Sequence, residues 1–501
     1  MIWSPWVLVA WLLALRWLSG LPDGEGPWRS RVDLPVALGG GVVFAVLTGL
    51  WFPNEHMAAW NLTASDFSQY CESVAAVQVG AYDKVHVQRS MFAALLPGTL
   101  ARPWGVLGGL ALAALVAQCI SGIALFLWAR AVAGRAAGGA AVLLGSAMGP
   151  LVLLSRTITF YPQTVAATLV ASAGAALAAR FRTLPALFAA GAGAGFVMLW
   201  DVRGVYWGLP ALAVGMLATL GSPEGPLTFG VRMRRLPLRL LVLWAPVYAA
   251  WWAGYVLTPT GVTGLVNQTA AFVGDAVRGV STVPISVSLE HDFIWGRSSP
   301  LRLPEVLGRV SQLGASLPAE LARAPGVTHV RESWVLPWVG PIGGALLLCL
   351  LGLVRKPWHL VALVVPAVPF ATALWSASMV LGHARYLAVG FPAVAVAAGV
   401  GFAVATRSKR SLLPETARAP VALAVLLVLV LGVVPGWLST EAPWREPFYA
   451  EEYPRALQTG EPRPVGDQRC LLALAADEAA GRSWWGYPPL PAEQDGVHRG
   501  P

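Results

Sequence analysis

Charged residues are scarce in this chain. Asp, Glu, Lys and Arg make up 12% of its 501 residues, whereas a soluble domain contains about a quarter. Hydrophobic residues account for 56%, and the mean hydropathy is +0.61. This balance excludes an ordinary water-facing surface. Apolar stretches of about 20 residues recur along most of the chain, and each is long enough to cross a hydrocarbon core of about 30 Å. The sequence therefore predicts an all-α polytopic membrane protein, since a barrel would show short alternating strands.

Several other features are missing from the sequence, and each absence disfavours a class of function. The net charge is +9, but no run of interleaved basic and aromatic residues indicates a nucleic-acid surface. Four cysteines show no metal-ligand spacing. No internal repeat is visible, which disfavours transporters built from inverted repeats. The first residues carry no basic segment or cleavage site of a signal peptide, and we interpret them as a retained helix.

About twelve spans are predicted. They cover residues 3–19, 34–52, 104–129, 136–154, 164–179, 184–200, 204–220, 240–258, 333–354, 358–377, 386–405 and 420–438. Every second connection is basic, and these connections contain Arg29, Arg31, Arg130, Arg135, Arg180, Arg182, Arg232, Arg234, Arg235, Arg239, Arg355, Lys356, Arg407, Lys409, Arg410 and Arg418. Short basic loops stay in the cytoplasm, so the other connections and both termini are predicted to lie outside.

Two regions follow from this topology. Residues 1–438 form the predicted membrane-embedded module, with outer loops at 53–103 and 259–332, and residues 439–501 form a small extracytoplasmic tail. Cys71 and Cys470 both fall on the predicted outer side, where a disulfide can form, but the sequence sets no distance between them. The expected location is the bacterial inner membrane, with the active site facing the periplasm.

Polar residues on the outer side are the candidates for chemistry. Asp66 lies in the first outer loop, within Thr63-Ala-Ser-Asp-Phe-Ser-Gln-Tyr-Cys-Glu72. The substrate-binding candidates on the same side are Glu72, Lys84, Arg89, Arg156, Tyr161, Arg203, His383, Arg385 and Tyr386. A positioned carboxylate can deprotonate an acceptor hydroxyl, and guanidinium groups stabilise a departing phosphate by paired hydrogen bonds. The pattern suits transfer of a sugar from a polyprenyl phosphate.

Simpler structural roles compete with these assignments. Thr63 and Asp66 match a capping box, so Asp66 is equally suited to start a helix. A helix over about 66–79, ending near Gly80, would place Glu72 six positions beyond Asp66, which is not a carboxylate dyad. The outer arginines are also suited to snorkelling, and the tyrosines to anchoring at the interface. Glu290-His291-Asp292 is a weak metal candidate, because adjacent positions seldom converge on one ion.

The order of motifs resembles the GT-C superfamily of integral-membrane glycosyltransferases. Asp66-Phe-x-x-Tyr70 lies in the first outer loop, Arg89-Ser90 follows in a basic segment, and a late His383-Ala-Arg-Tyr386 leads into a span through Phe391-Pro392. The resemblance covers about residues 34–438 and is greatest to the bacterial branch related to protein O-mannosyltransferases and aminoarabinose transferases.

This resemblance implies a hexosyl- or pentosyltransferase that uses a polyprenyl-phosphate sugar donor, acts on the outer face and inverts the anomeric carbon. Asp66 would be the general base, and Arg385 and Tyr386 would lie near the donor. The acceptor would be a glycan, lipid or protein. Many relatives have two adjacent acids in the first loop, whereas Phe67 follows Asp66 here, so a divalent-metal requirement stays open.

Three other functions remain compatible with the sequence. A transporter or flippase of lipid-linked sugars would need polar residues along a path through the bilayer, and the predicted spans have almost no charge at mid-membrane. An O-antigen polymerase or ligase would depend on outer arginines more than on an early Asp. A catalytically inactive scaffold with the same fold is the third alternative. The sugar, the acceptor and the oligomeric state cannot be read from the sequence.

Overall fold

The structure is a computed structural model that describes residues 5–21, 30–50, 65–82, 85, 91–147, 161–200, 204–221, 228–257, 262–263, 266 and 391–407. The regular elements in these ranges are helices. They are α1 (Pro5–Ser19), α2 (Ser30–Leu50), α3 (Ser65–Gln78), α4 (Met91–Ala133), α5 (Arg135–Ala147), α6 (Tyr161–Phe181), α7 (Leu184–Trp200), α8 (Val205–Thr219), α9 (Phe229–Leu257) and α10 (Phe391–Arg407).

Nine of the predicted spans correspond to helices of the structure, and α7 begins and ends at the predicted residues. Four segments are long and apolar enough to cross a membrane: Arg31–Thr48, Gly108–Ala133, Pro162–Phe181 and Phe229–Leu257. The chain is an integral membrane protein with a helical fold. The predicted spans at 333–354, 358–377 and 420–438 lie outside the described residues, as does the boundary of the tail at 438/439, so the total of about twelve stays a prediction.

α4 is the central helix of the bundle. It packs against α2, α5 and α6, while α6 to α9 form a neighbouring layer and α10 covers α5. Small residues allow these helices to approach closely, as is common where lipid provides no hydrophobic driving force between helices. Gly41 of α2 and Gly122 of α4 each lie against backbone of the other helix, and Gly195 of α7 lies against Val247 of α9. The fold therefore depends on close backbone contact as much as on large side chains.

Gly191 provides a test of this packing. A Cβ added at Gly191 in α7 would collide with the carbonyl group of Leu243 in α9. We expect Gly191→Ala to force the two helices apart and to lower the free energy of unfolding by about 1–3 kcal/mol. Gly230 of α9 is the matched control, because an added Cβ there meets nothing within 4 Å. Thermal unfolding of both variants in nanodiscs measures the difference, and equal midpoints would contradict the packing.

Charged side chains are buried where α2, α4 and α5 meet. Asp33 accepts hydrogen bonds from Nε and Nη2 of Arg130, at 3.0 and 3.2 Å, and from Nε of Arg135, at 2.7 Å. Asp33 is fully buried and the arginines are 2% and 8% exposed. The Arg130 guanidinium also lies 5.5 Å from the centroid of the Phe181 ring, at the end of α6. This cluster joins four helices at one end of the bundle.

A second arginine contact lies beside the first. Arg239 of α9 donates through Nη2 to the carbonyl oxygens of Arg182, at 2.8 Å, and Ala218, at 2.9 Å. These carbonyls belong to the ends of α6 and α8, so Arg239 satisfies acceptors that a helix terminus leaves open. Because Phe181 and Arg182 are adjacent, both arginine contacts lie at the same end of the bundle. The structure thus gathers basic residues from several predicted inner connections on one side; we call it the arginine end.

Candidate active site

α3, which contains Asp66, runs beside the first part of α4. The hydroxyl of Tyr70 donates to the carbonyl oxygen of Ala93 at 2.8 Å, and Nε2 of Gln78 donates to that of Ala101 at 3.0 Å. Both pairs are separated by 23 positions in the sequence, so the two helices are parallel and in constant register. Gly98 permits the approach, because a Cβ there would collide with Val77. The expected helix over 66–79 is confirmed, and it ends before Gly80, whose φ is 80°.

α4 folds back on itself at Gly105. The backbone there has φ 74° and ψ 169°, a conformation that glycine adopts readily and other residues rarely do. A Cβ at Gly109 would collide with the carbonyl oxygen of Pro97 and with Ala101, so the segment before the kink lies against the start of the segment after it. This fold-back holds the first part of α4, and α3 with it, at the end of the bundle where the long part of α4 begins.

That end is opposite the arginine end of the bundle. Gly109 and Arg130 are 21 residues apart in α4, and a helical rise of 1.5 Å per residue gives about 30 Å between them. This distance equals the thickness of a bilayer hydrocarbon core. α3 and the buried arginine cluster are therefore at opposite ends of the bundle, and the predicted topology, with these ends on opposite sides of a membrane, stays a prediction. We call the side that contains α3 the α3 side.

Three of the predicted site residues lie in described helices. Asp66 is the second residue of α3 and Glu72 lies six positions further on, while Tyr161 is the first residue of α6. Phe181, at the other end of α6, contacts Arg130 at the arginine end. Because 20 residues of helix span about 30 Å, Tyr161 lies at the end of the bundle that contains α3. The residues outside the described ranges are Lys84, Arg89, Arg156, Arg203, His383, Arg385 and Tyr386.

The ends of α7 and α8 also meet on the α3 side. α7 starts at Leu184, beside the arginine end, and finishes at Trp200, 16 residues later. α8 returns immediately, and a Cβ at Gly204 would collide with the carbonyl oxygen of Val197. Gly208 is similarly pressed against Met198. Residues 201–203, which connect these helices and include the candidate Arg203, lie outside the described residues.

Positioning side chains around α3 were missed in the sequence. Tyr70 is 5% exposed, and desolvation by burial raises the pKa of its hydroxyl well above the ordinary value. Tyr70 therefore stays neutral and keeps donating to Ala93. Nη2 of Arg102 donates to the hydroxyl of Tyr82 at 3.3 Å, which ties the segment after α3 to α4. The sequence offered a signal for Tyr70, which lies one helical turn from Asp66, but none for Ala93, the residue to which Tyr70 donates.

Cys71 is fully buried in α3 and is disulfide-bonded. Cys119 is a free thiol, and the predicted pairing of Cys71 with Cys470 stays a prediction. Cys470 lies outside the described residues. Cys71 immediately follows Tyr70, so the disulfide adds a covalent restraint to the helix that carries Asp66.

Within the described part of the chain, no group of three or more His, Cys, Asp or Glu residues could hold a metal ion. The cluster at Glu290-His291-Asp292 lies outside that part. A divalent-metal requirement therefore stays a hypothesis from the sequence.

Comparison with solved structures identifies the fold. The oligosaccharyltransferase of Archaeoglobus fulgidus, in its apo form, matches 87% of this chain at 14% identity with a TM-score of 0.50, and this chain spans 59% of the length of that enzyme. ArnT of Cupriavidus metallidurans bound to undecaprenyl phosphate matches 89% of this chain and 78% of its own, at 15% identity and a TM-score of 0.44. The archaeal oligosaccharyltransferase AglB with an inhibitory peptide and a dolichol-phosphate matches 87% of this chain and 59% of its own, at 14% identity and a TM-score of 0.47.

No protein-family model matches the sequence, and no curated protein sequence matches it. The apo oligosaccharyltransferase structure, with its TM-score of 0.50, therefore carries the comparison, and at 14% identity it shows the fold alone. The resemblance to the GT-C superfamily inferred from the order of motifs is confirmed at that level: the chain has a GT-C-like membrane fold.

Proposed function

We propose that this protein is a glycosyltransferase that moves a sugar from a polyprenyl-phosphate donor to a hydroxyl acceptor, with inversion and with Asp66 as the general base. The observation that carries the proposal is the position of α3. A parallel register of 23 residues with α4 and the fold-back at Gly105 hold this helix at the end of the bundle opposite the buried arginines. A membrane enzyme with a lipid-anchored donor needs its base at such a boundary.

The register also suggests which cation accompanies Asp66. Tyr70 and Ala93, and Gln78 and Ala101, are 23 positions apart, and Arg89 stands at the same sequence separation from Asp66, so we propose Arg89 as the accompanying cation. A carboxylate in the first turn of α3 is stabilised by the helix dipole, and this favours the ionised form that a base requires. Arg89 is then suited to orient the donor phosphate and not to reach the acceptor hydroxyl.

The donor phosphate would be bound by cations on the same side. The arginine candidates are Arg156, which precedes Tyr161 at the start of α6 by five residues, and Arg203, in the sequence between α7 and α8, and the Tyr161 hydroxyl would add a neutral donor. Guanidinium groups stabilise the negative charge that accumulates as the sugar leaves the lipid phosphate. Arg385, Tyr386 and His383 precede α10 and would complete the donor site. In this mechanism Asp66 takes the proton of the acceptor hydroxyl, whose oxygen attacks the anomeric carbon while the lipid phosphate departs.

The fold comparison supports this assignment, because the apo structure with a TM-score of 0.50 is an oligosaccharyltransferase. The same likeness would be expected of an inactive relative. Sugar transfer therefore has to be measured directly.

Transfer can be tested with membranes that contain or lack the protein, prepared from cells fed with radiolabelled hexoses and pentoses. We expect one labelled product in the glycan, lipid or protein fraction to depend on the protein, and its polyprenyl-linked precursor to accumulate without it. The decisive step repeats the reaction in detergent with purified protein, extracted labelled lipid and the acceptor fraction. A transferase still makes product there. A transporter makes no product in detergent, because detergent leaves no second leaflet. The absence of product in detergent would therefore favour a transporter over the proposed transferase.

A further inference from the structure

One face of α9 is exposed along the part of the helix that can cross a membrane. Of the four described segments that are long and apolar enough to do so, Phe229–Leu257 has 22% of its apolar part buried, whereas the other three have 44–72%. Leu243 and Val247 pack on α7, and a row of exposed residues lies on the opposite face. This row, which we call the α9 seam, consists of Leu238, Leu241, Ala245, Tyr248, Trp252 and Tyr255.

The spacing within the α9 seam is that of a helix pair. Successive positions are separated alternately by three and four residues, which is the heptad pattern of two helices that pack side by side. Left-handed packing of this kind is common between transmembrane helices, and small residues such as Ala245 allow a close approach. The α9 seam therefore has the geometry of a helix–helix contact, although none of the described helices covers it.

The packing of α6 on α7 shows which residue of α7 lies at the middle of the bilayer. Gly193 of α7 lies against Ala171 of α6. Ala171 is at the centre of Pro162–Phe181, an apolar segment of 20 residues that is long enough to cross a membrane. Gly193 is therefore level with the middle of the hydrocarbon core.

The packing of α7 on α9 transfers this depth to the α9 seam. The residue at the centre of α7 lies midway between Gly191 and Gly195, which contact Leu243 and Val247 of α9 in the same order along the chain. The residue midway between those two contacts is Ala245. The middle of the α9 seam is therefore level with the middle of the bilayer.

Tyr248 brings a hydroxyl group into this apolar region. It follows Ala245 by three residues, so its backbone is about 5 Å from the middle of the bilayer, and the nearer boundary is about 10 Å further. Its side chain is too short to reach that boundary, where tyrosines are usually found. Tyr248 is 72% exposed, and its hydroxyl makes no hydrogen bond with a described residue. Acyl chains provide neither donor nor acceptor, so a hydroxyl that faces lipid at this depth is costly.

A second copy of the chain carries a suitable partner for this hydroxyl. The predicted spans outside the described residues have only Gly, Ala, Pro, Val, Leu, Ile and Phe at their centres, residues 340–347, 364–371 and 425–432. None of these side chains can hydrogen-bond to Tyr248. A second copy inserted in the same orientation presents its own tyrosine at the same depth, and a hydroxyl both donates and accepts hydrogen bonds.

We propose that the α9 seam is the interface of a symmetric dimer, in which α9 packs parallel to α9 of the partner subunit and the two Tyr248 hydroxyls hydrogen-bond to each other. A twofold axis along the membrane normal brings each residue of the seam to the same depth as its copy, as a self-complementary interface requires. Leu238 and Leu241 pack on the side of Tyr248 toward the arginine end, and Trp252 packs on the other side. The contact covers the apolar face that the described helices leave open.

The dimer is tested with the purified full chain, carrying one fluorophore, in lipid vesicles. Photobleaching steps counted over a series of protein-to-lipid ratios give the dimerisation constant. We expect the wild type to dimerise and Tyr248→Phe, which removes only the hydroxyl, to weaken the dimer about threefold to tenfold. The matched control is Tyr255→Phe, the same change in the same seam but about 15 Å from the middle of the bilayer. Water can replace a partner at that depth, so this variant should dimerise as the wild type does.

Cysteine cross-linking tests which face forms the contact. Ala245→Cys places a thiol at the middle of the α9 seam, and oxidation of membranes with copper phenanthroline should give a covalent dimer through this residue. The matched control is Phe196→Cys in α7, since Phe196 is also exposed and lies at a similar depth but outside the seam. It should give little dimer under the same conditions.

Three results would overturn the proposal. A wild type that stays monomeric at every protein-to-lipid ratio would leave the seam to lipid or to a different protein. Equal dimerisation of Tyr248→Phe and the wild type would remove the hydroxyl pair from the interface. Equal cross-linking of Ala245→Cys and Phe196→Cys would indicate random collision and not a defined contact. None of these results depends on sugar transfer, so the interface and the proposed activity succeed or fail separately.

Discussion

Replacement of Asp66 by asparagine is expected to lower the rate of sugar transfer by about 100- to 10,000-fold. Asparagine keeps the size of the side chain and can still accept a hydrogen bond at the start of α3, but it cannot take a proton from the acceptor hydroxyl. The helix should therefore survive while the chemistry fails. The measurement is the initial rate of labelled product formation by purified protein in detergent, at matched protein concentration and with the thermal midpoint recorded alongside.

Ser68→Ala is the matched control, because it changes a polar residue in the same turn of α3 and should leave the rate within about twofold. Asp66→Glu distinguishes the two roles of the position. It restores a base at a slightly different distance, so part of the activity should return if the carboxylate takes the proton. A full rate in Asp66→Asn would remove the residue as the base and leave it with helix capping only.

Replacement of Asp33 by alanine is expected to cost the largest part of the stability of any single change at the arginine end. It would leave Arg130 and Arg135 buried without the carboxylate to which both donate. Removing one partner from a buried ionic cluster costs about 3–5 kcal/mol. The thermal midpoint in nanodiscs of neutral lipid should fall sharply, and the yield of folded protein should fall with it.

Two further variants test whether the buried ionic cluster causes the loss of stability in Asp33→Ala. Arg31→Gln removes an exposed charge from the same turn of α2 and should leave the midpoint almost unchanged. Combining Asp33→Leu with Arg130→Met removes the more deeply buried of the two stranded charges, so part of the lost stability should return. If Asp33→Ala unfolds no earlier than Arg31→Gln, the cluster is not what holds α2, α4 and α5 together.

The helices of this protein were largely predictable because their signals are local. α7 has the predicted bounds, since an apolar run between a basic and a polar connection leaves few alternatives in a membrane. The helix over 66–79 followed from its start at Asp66 and its stop at Gly80. α9 shows where such reasoning ends: the predicted span starts at 240, but the helix starts at Phe229. Hydropathy stops at the arginines, whereas the helix continues because long side chains carry their charges to the interface.

The contacts that build the site were not predictable. The sequence assigned Arg130 and Arg135 to a solvated inner connection, yet both are buried on Asp33, about a hundred residues earlier. It predicted a simple span over 104–129, but Gly105 turns the chain back and sets the position of α3. A glycine in the sequence indicates only that the backbone can adopt unusual angles. The direction in which the chain turns at Gly105 depends on the packing of Pro97 and Ala101 against Gly109.

The sequence by itself determined that this chain is a helical membrane protein and where most of its described helices begin and end. These properties depend on the hydropathy, charge and turn propensity of neighbouring residues. Only the tertiary structure decided that α3 runs parallel to α4 at an offset of 23 residues, that Asp33 neutralises two arginines, and that Arg239 donates to the carbonyl oxygens of Arg182 and Ala218. Those contacts join residues far apart in the chain, and they form because close helix packing and the burial of charge must be satisfied together.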